Sequence, residues 1–215
     1  MSLTVLSDLA IATGQTLYMV LASTVMAIIL GLPLGTILFS SKQLKTHRSL
    51  NRLIATLINV SRSIPFIILL VALIPLTRLI VGTSIGIHAA IVPLTLGATP
   101  FFARLVDNVY QSLPSGLIDA SFAMGASTWQ TIRHILIPEA MPGLIHATTV
   151  TAITLVNYSA MAGTVGGGGL GDLAIRYGYQ RFNVSIMLAT VFILVIIVQA
   201  IQMSGDRLAR RYLHA

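Results

Sequence analysis

The residues able to do chemistry are few in this chain: six carboxylates, five histidines and no cysteine among 215 residues. His47, His88, His134, His146 and His214 show no metal-ligand spacing, and the absence of cysteine excludes disulfides, thiol nucleophiles and cysteine metal sites. Gly166, Gly168 and Gly171 match G-x-G-x-x-G, but a dinucleotide site needs a preceding strand and a soluble βαβ unit. The run also lacks the Gly-Lys-Ser/Thr ending of a phosphate-binding loop, and no other stretch supplies one, so ATP hydrolysis by that route belongs to another chain. No enzymatic activity and no cofactor are expected. The glycines read as a flexible external loop, with docking of an external partner as a second role. A different pattern favours passage of a solute. Residues 140–171 carry no Asp, Glu, Lys or Arg, yet hold Thr148, Thr149, Thr151, Thr154, Asn157, Tyr158 and Ser159. Hydroxyls and amides inside an apolar run bond to neighbouring helices or line a cavity. Met161 follows this polar face and reads either as a pathway residue or as a flexible core filler. His146 reads as hydrogen-bonded packing rather than a proton relay. Acids, the usual mark of ion coupling, are missing from the centres of the apolar blocks.

The elements that must carry these residues are membrane helices. Only 9% of the residues are charged and 55% are hydrophobic, against roughly 25% charged in soluble domains. The expected fold is all-α, an integral membrane helical bundle forming a single domain over residues 1–215. A hydrocarbon core needs roughly 20 helical residues, and five spans are expected, at about 17–39, 53–81, 89–109, 139–165 and 182–203. Gly31, Pro33 and Gly35 bend the first or admit a neighbouring helix. The second is read as one long helix kinked at Pro65 and Pro75, with Arg62 toward the cytoplasm and Arg78 snorkelling at the outer interface. Segment 166–181 is the longest external loop. The net charge of +7 does not imply nucleic acid, because the basic residues lie between and after apolar blocks, as the positive-inside bias requires. No Lys or Arg precedes Lys42, so the basic region of a cleaved signal peptide is not expected.

Between the third and fourth blocks lies a polar island, 112–138. Pro114 and Ser115 mark a helix start, with Leu117, Ile118, Ser121, Phe122 and Gly125 on one face. Gly125 suits a helix end. Ser127 and Gln130 have capping-box spacing and start a second helix, and Pro138 is expected to close the unit. Asp107 and Glu139 flank the island and are expected to pair with Arg104 and Arg133 or to support docking. The island resembles the signature loop of permease subunits of ABC importers, whose pattern is Glu-Ala-Ala, three residues, Gly, nine residues, then Ile-x-Leu-Pro. Asp119, Ala120, Ser121, Gly125, Ile135, Ile137 and Pro138 stand at the matching positions, with Asp for Glu, Ser for the second Ala and Ile for Leu. The resemblance implies a cytoplasmic coupling helix that docks on an ATPase subunit, carried here by Asp119, Ala120, Ser121, Phe122, Met124, Gly125, Ala126 and Ser127.

Five spans with a cytoplasmic C-terminus put the N-terminus outside. Ten of the 13 Lys and Arg residues then lie inside, and Arg78, Arg176 and Arg181 outside. Further stretches, Arg62 to Phe66, 81–86, Tyr158 to Met161 and Gly168 to Asp172, are similar to permeases of methionine ABC importers over nearly the whole chain. That resemblance implies a bacterial inner-membrane subunit pairing with a second copy of itself beside two ATPase subunits. A fourth-span methionine narrows the pathway in that family, matched here by Met161, with Tyr158, Ser159 and Asn157 near it. A periplasmic or lipid-anchored substrate-binding protein would deliver the solute. Permeases for another amino acid or small polar solute, an ion-coupled carrier or channel, and a structural membrane scaffold are the alternatives.

Overall fold

The computed structural model describes the backbone of residues 3–43 and 48–213, and the side chains within 5–41 and 52–212. The first two apolar blocks take very different forms. Helix α1, Leu3–Gln43, runs unbroken for 41 residues, well beyond the segment 17–39. Its glycines serve packing rather than bending. A Cβ on Gly35 would lie 2.5 Å from the Ala103 carbonyl oxygen, and one on Gly31 2.9 Å from the Phe102 ring, so both positions let α1 lie directly on helix α5, Ile87–Gln111.

The second block is not one kinked helix. It divides into α2, Arg48–Ser63, α3, Phe66–Ala72, and α4, Ile74–Val81, and the chain turns by 104° between α2 and α3. Pro65 is the cause: it has no N–H to continue the ladder and forces its predecessor out of the helical region. Pro75 instead sits in the first turn of α4, where proline is tolerated. The short basic loop expected after α1 falls in part, at 44–47, outside the described residues.

After α5 come α6, Ser115–Ala123, and α7, Thr128–Thr131. A π-helical stretch, Ile132–Leu136, then leads without a break into α8, Ile137–Gly163. Pro138 therefore does not close the unit. It lies in the first turn of α8, directly after a widened π turn, the kind of local adjustment that re-satisfies backbone groups freed by proline. The chain ends on α9, Gly169–Leu173, a second π stretch, Ala174–Tyr179, and α10, Val184–Leu213.

The stretch expected as a flexible external loop is packed. Gly169, Leu170 and Gly171 are buried; Gln15 Oε1 accepts from the Gly169 N–H and Thr16 Oγ1 from the Leu170 N–H, each at 2.9 Å. A side chain on Gly171 would run into the Ala160 backbone. The glycines are there because α9 must lie against α8 and α1 without side chains between.

Among the described residues, α1, α5 and α10 are long and apolar enough to cross a membrane, and the bent pair Arg52–Ser63 plus Phe66–Ala72 makes a fourth candidate. Helix α8 has 27 residues, about 40 Å at 1.5 Å each, but its hydroxyls and amide keep it out of that group. The core joins α1, α5, α8 and α10 around Met19, Leu94, Leu155 and Leu170, and a second cluster around Phe102, Val106, Tyr110 and Leu136 ties them to the polar segment.

Candidate functional site

Two surfaces gather the residues singled out by type and spacing. The first is the α6–α7 corner. Ile118 and Ser121 are buried and anchor it: Ser121 Oγ bonds to the Ile118 carbonyl at 2.8 Å and lies 3.0 Å from Thr131 Oγ1. Gly125 adopts φ 79°, a left-handed turn that glycine enters without the Cβ clash of other residues. That turn lets the Ala126 N–H return to the Ser121 carbonyl at 3.0 Å. Ser127 then caps α7 reciprocally: Gln130 Oε1 accepts from the Ser127 N–H at 2.8 Å, and Ser127 Oγ from the Gln130 N–H at 3.4 Å.

With its inner face tied down, the corner exposes Asp119, Ala120 and Phe122, together with Met124 at 79% and Trp129 at 67% exposure. Trp129 lies outside the residues marked by the signature spacing, and its signal in the sequence is that it is the chain's one tryptophan, set in a polar segment. A large apolar pair on a polar helical corner is the composition of a protein contact. Asp107 at the base of α5 is fully buried and held by Arg104 at 3.0 Å. Arg104 also donates to Asn59 Oδ1 at 3.2 Å, tying α5 to α2. The expected Glu139–Arg133 pair is not formed among the described residues; both side chains are exposed.

The second surface lies on α8. Asn157 and Met161 are exposed, four residues apart on one helical face, with Val150 below them. Tyr158 is half-buried, its ring stacked on Phe66 at 4.2 Å between centroids and 2° between planes. Ser159 departs from this group. It is buried, with its hydroxyl donated to the Val156 carbonyl at 2.7 Å, because its position turns it toward the helix's packed side. His146 stands 3.9 Å from Asp206 on α10, and Asp206 Oδ1 accepts from Gln202 Nε2 at 2.8 Å. No group of three or more metal-ligating side chains occurs among the described residues.

Residues 27–214 match the family model described as the binding-protein-dependent transport system inner membrane component. The chain belongs to this family. It is an inner-membrane permease component, all-helical and multi-pass. A Vibrio cholerae relative, named a probable D-methionine transport system permease protein, is 53% identical over 211 residues, covering 97% of this chain and 94% of the relative. A Pasteurella multocida protein of the same name is 47% identical over 206 residues, covering 95% of each. Among solved structures, an inward-facing methionine ABC transporter superposes with a TM-score of 0.97 at 48% identity, covering 99% of each chain. The permease and that structure therefore share one fold over nearly their whole length.

Proposed function

We propose that this permease is the membrane-spanning subunit of an ATP-driven importer that carries methionine into the cytoplasm. The observation carrying this reading is the 53% identity, over 97% of the chain, to a relative named for D-methionine transport. The α6–α7 corner is the coupling element. Its inner face is fixed to the transmembrane helices by Ile118, Ser121 and Thr131, and its outer face, Asp119, Ala120, Phe122 and Met124 to Ser127 with Trp129, docks on the ATPase. Because α7 continues through the π stretch into α8, a push on the corner is transmitted along one helical rod to Asn157 and Met161, a rigid-body motion rather than a loop rearrangement.

Five membrane crossings, with the bent α2–α4 unit as the second, place the N-terminus outside and both the corner and the C-terminal arginines in the cytoplasm. An exposed amide and a partly exposed hydroxyl-rich face on α8 suit an aqueous path better than lipid, and one copy leaves that face open. A twofold pair would close it, with two ATPase subunits below and a periplasmic or lipid-anchored binding protein above. Labelled-methionine uptake into proteoliposomes holding this chain, its ATPase and its binding protein tests the reading. Uptake that requires ATP supports it; ATP-driven uptake of another solute keeps the architecture and overturns methionine; flux without ATP overturns the class.

A further inference from the structure

The break between α2 and α3 borders a cavity of about 240 Å³ lined by Ser61, Arg62, Phe66, Gly97, Phe101 and Tyr158, with Ile64 and Leu69. Its depth follows from Gly97, against which the Phe66 ring packs. Gly97 is ten residues into the 25-residue α5, about 15 Å along that candidate span. Arg62 stands in the last turn of α2, inside the bent α2–α3 pair that is a candidate membrane span; its side chain is exposed, and among the described residues it makes no hydrogen bond or ion pair. An intramembrane charge facing a cavity marks a solute site, and broken helices place their irregular backbone where it lines such a cavity.

The remaining walls define the solute's chemistry. Ser61 Oγ already donates its hydrogen to the Leu57 carbonyl at 2.8 Å, so it offers the cavity only lone pairs. The Ser61 carbonyl would be bonded in a continued helix by the N–H of residue 65, and Pro65 has none. The cavity lining therefore presents one cation, and the adjoining residue presents acceptors without an acidic side chain. The same lining holds three aromatic rings, two of them the stacked Phe66 and Tyr158. Gly97 keeps room for that stack, since a Cβ there would lie 3.2 Å from Phe66. At about 30 Å³ per water, the cavity holds roughly eight waters, or a solute of about that many heavy atoms.

We propose that this cavity is a transit site for the zwitterionic head and apolar side chain of an amino acid: Arg62 binds the carboxylate, the Ser61 oxygens accept from the ammonium, and the Phe66–Tyr158 stack and Phe101 hold the side chain. A thioether suits such walls, because sulfur packs favourably at ring edges. The site rests on the import reading above and extends it by naming residues that recognise the cargo inside the membrane. Tyr158 and Met161 are three residues apart on α8, which puts the cavity wall within one helical turn of the exposed methionine.

The test uses the assembled complex with its ATPase and binding protein in vesicles, and photo-methionine, in which a diazirine replaces the thioether. Irradiation should label the segments holding Phe66, Phe101 and Tyr158. Excess methionine should suppress the labelling, and methioninamide, which lacks the carboxylate, should not. Arg62→Gln should lower the labelling roughly tenfold or more, as loss of a charge-assisted hydrogen bond would, while still co-purifying with the ATPase, and Arg62→Lys should recover part of it. Labelling that maps elsewhere, or is equal in wild type and Arg62→Gln, overturns the site while leaving the import function standing. Failure of wild-type vesicles to take up methionine with ATP overturns the import reading and the site with it.

Discussion

Gly125 holds its left-handed φ in open space, with no heavy atom within 4 Å of where a Cβ would stand. A side chain there costs about 1–2 kcal/mol for the conformation but meets no obstacle within the chain. Gly125→Arg is therefore expected to leave membrane insertion and the helical fold intact while abolishing ATP-coupled uptake, because the new side chain occupies the docking face. Normal uptake in that variant would remove the corner from the coupling mechanism. Ser121 makes the opposite prediction. Its hydroxyl is buried inside the corner, and Thr131 Oγ1 keeps a 3.1 Å bond to the Ser127 carbonyl without it. Ser121→Ala should cost about 1 kcal/mol, visible as a small drop in thermal stability, with uptake close to wild type.

At the scale of elements, close approach between helices is set by glycines. Gly35→Val would place methyl groups against the Ala103 carbonyl and Val106, on the interface that joins α1 to the bundle. Overpacking of that kind costs about 1–3 kcal/mol or more, so the purified variant should melt at lower temperature than wild type. Unchanged melting would mean that α1 is only loosely attached. Glycine at 171 follows the same logic at the other end of α8, where a side chain would meet the Ala160 backbone. The broken α2–α3 unit and the glycine segment 166–171 were read from the sequence as a kinked helix and a flexible loop. Hydropathy records how apolar a stretch is, and it does not record whether proline ends one helix and starts another. It equally cannot show that Gln15 and Thr16, over 150 positions away, satisfy the N–H groups of residues 169 and 170.

At the scale of the whole molecule, the side of α8 holding Asn157 and Met161 is an exposed face that suits an aqueous path better than lipid. If a second copy covers it, identical residues approach each other across the twofold axis. The chain has no cysteine, so Met161→Cys would be the sole thiol of each permease chain. Mild oxidation should then give a disulfide-linked pair of permease chains, and a control cysteine at Leu79, which is 83% exposed on α4, should give none. A monomer under both conditions would take the path away from this face. The proposed orientation is checked in the same background: Asp8→Cys should react with an impermeant thiol reagent from outside, and Met124→Cys only after the membrane is opened.

The sequence by itself determined the membrane class, the helical content, and the spacing of Asp119 to Pro138 that marks a permease, because composition and local spacing are properties of the chain alone. It also placed the Ser127–Gln130 cap, which closes within four residues. Tertiary structure decided the rest. It sent Ser159 into the packing while Asn157 and Met161 stayed on the surface, buried Asp107 beside Arg104, and ran α7 through a π turn into α8 where Pro138 signalled an end. Above all, it brought Arg62 to the mouth of a cavity walled by residues 66, 101 and 158. Those positions are neighbours only because a proline turns the chain by 104° and α5 and α8 pack on either side of the turn.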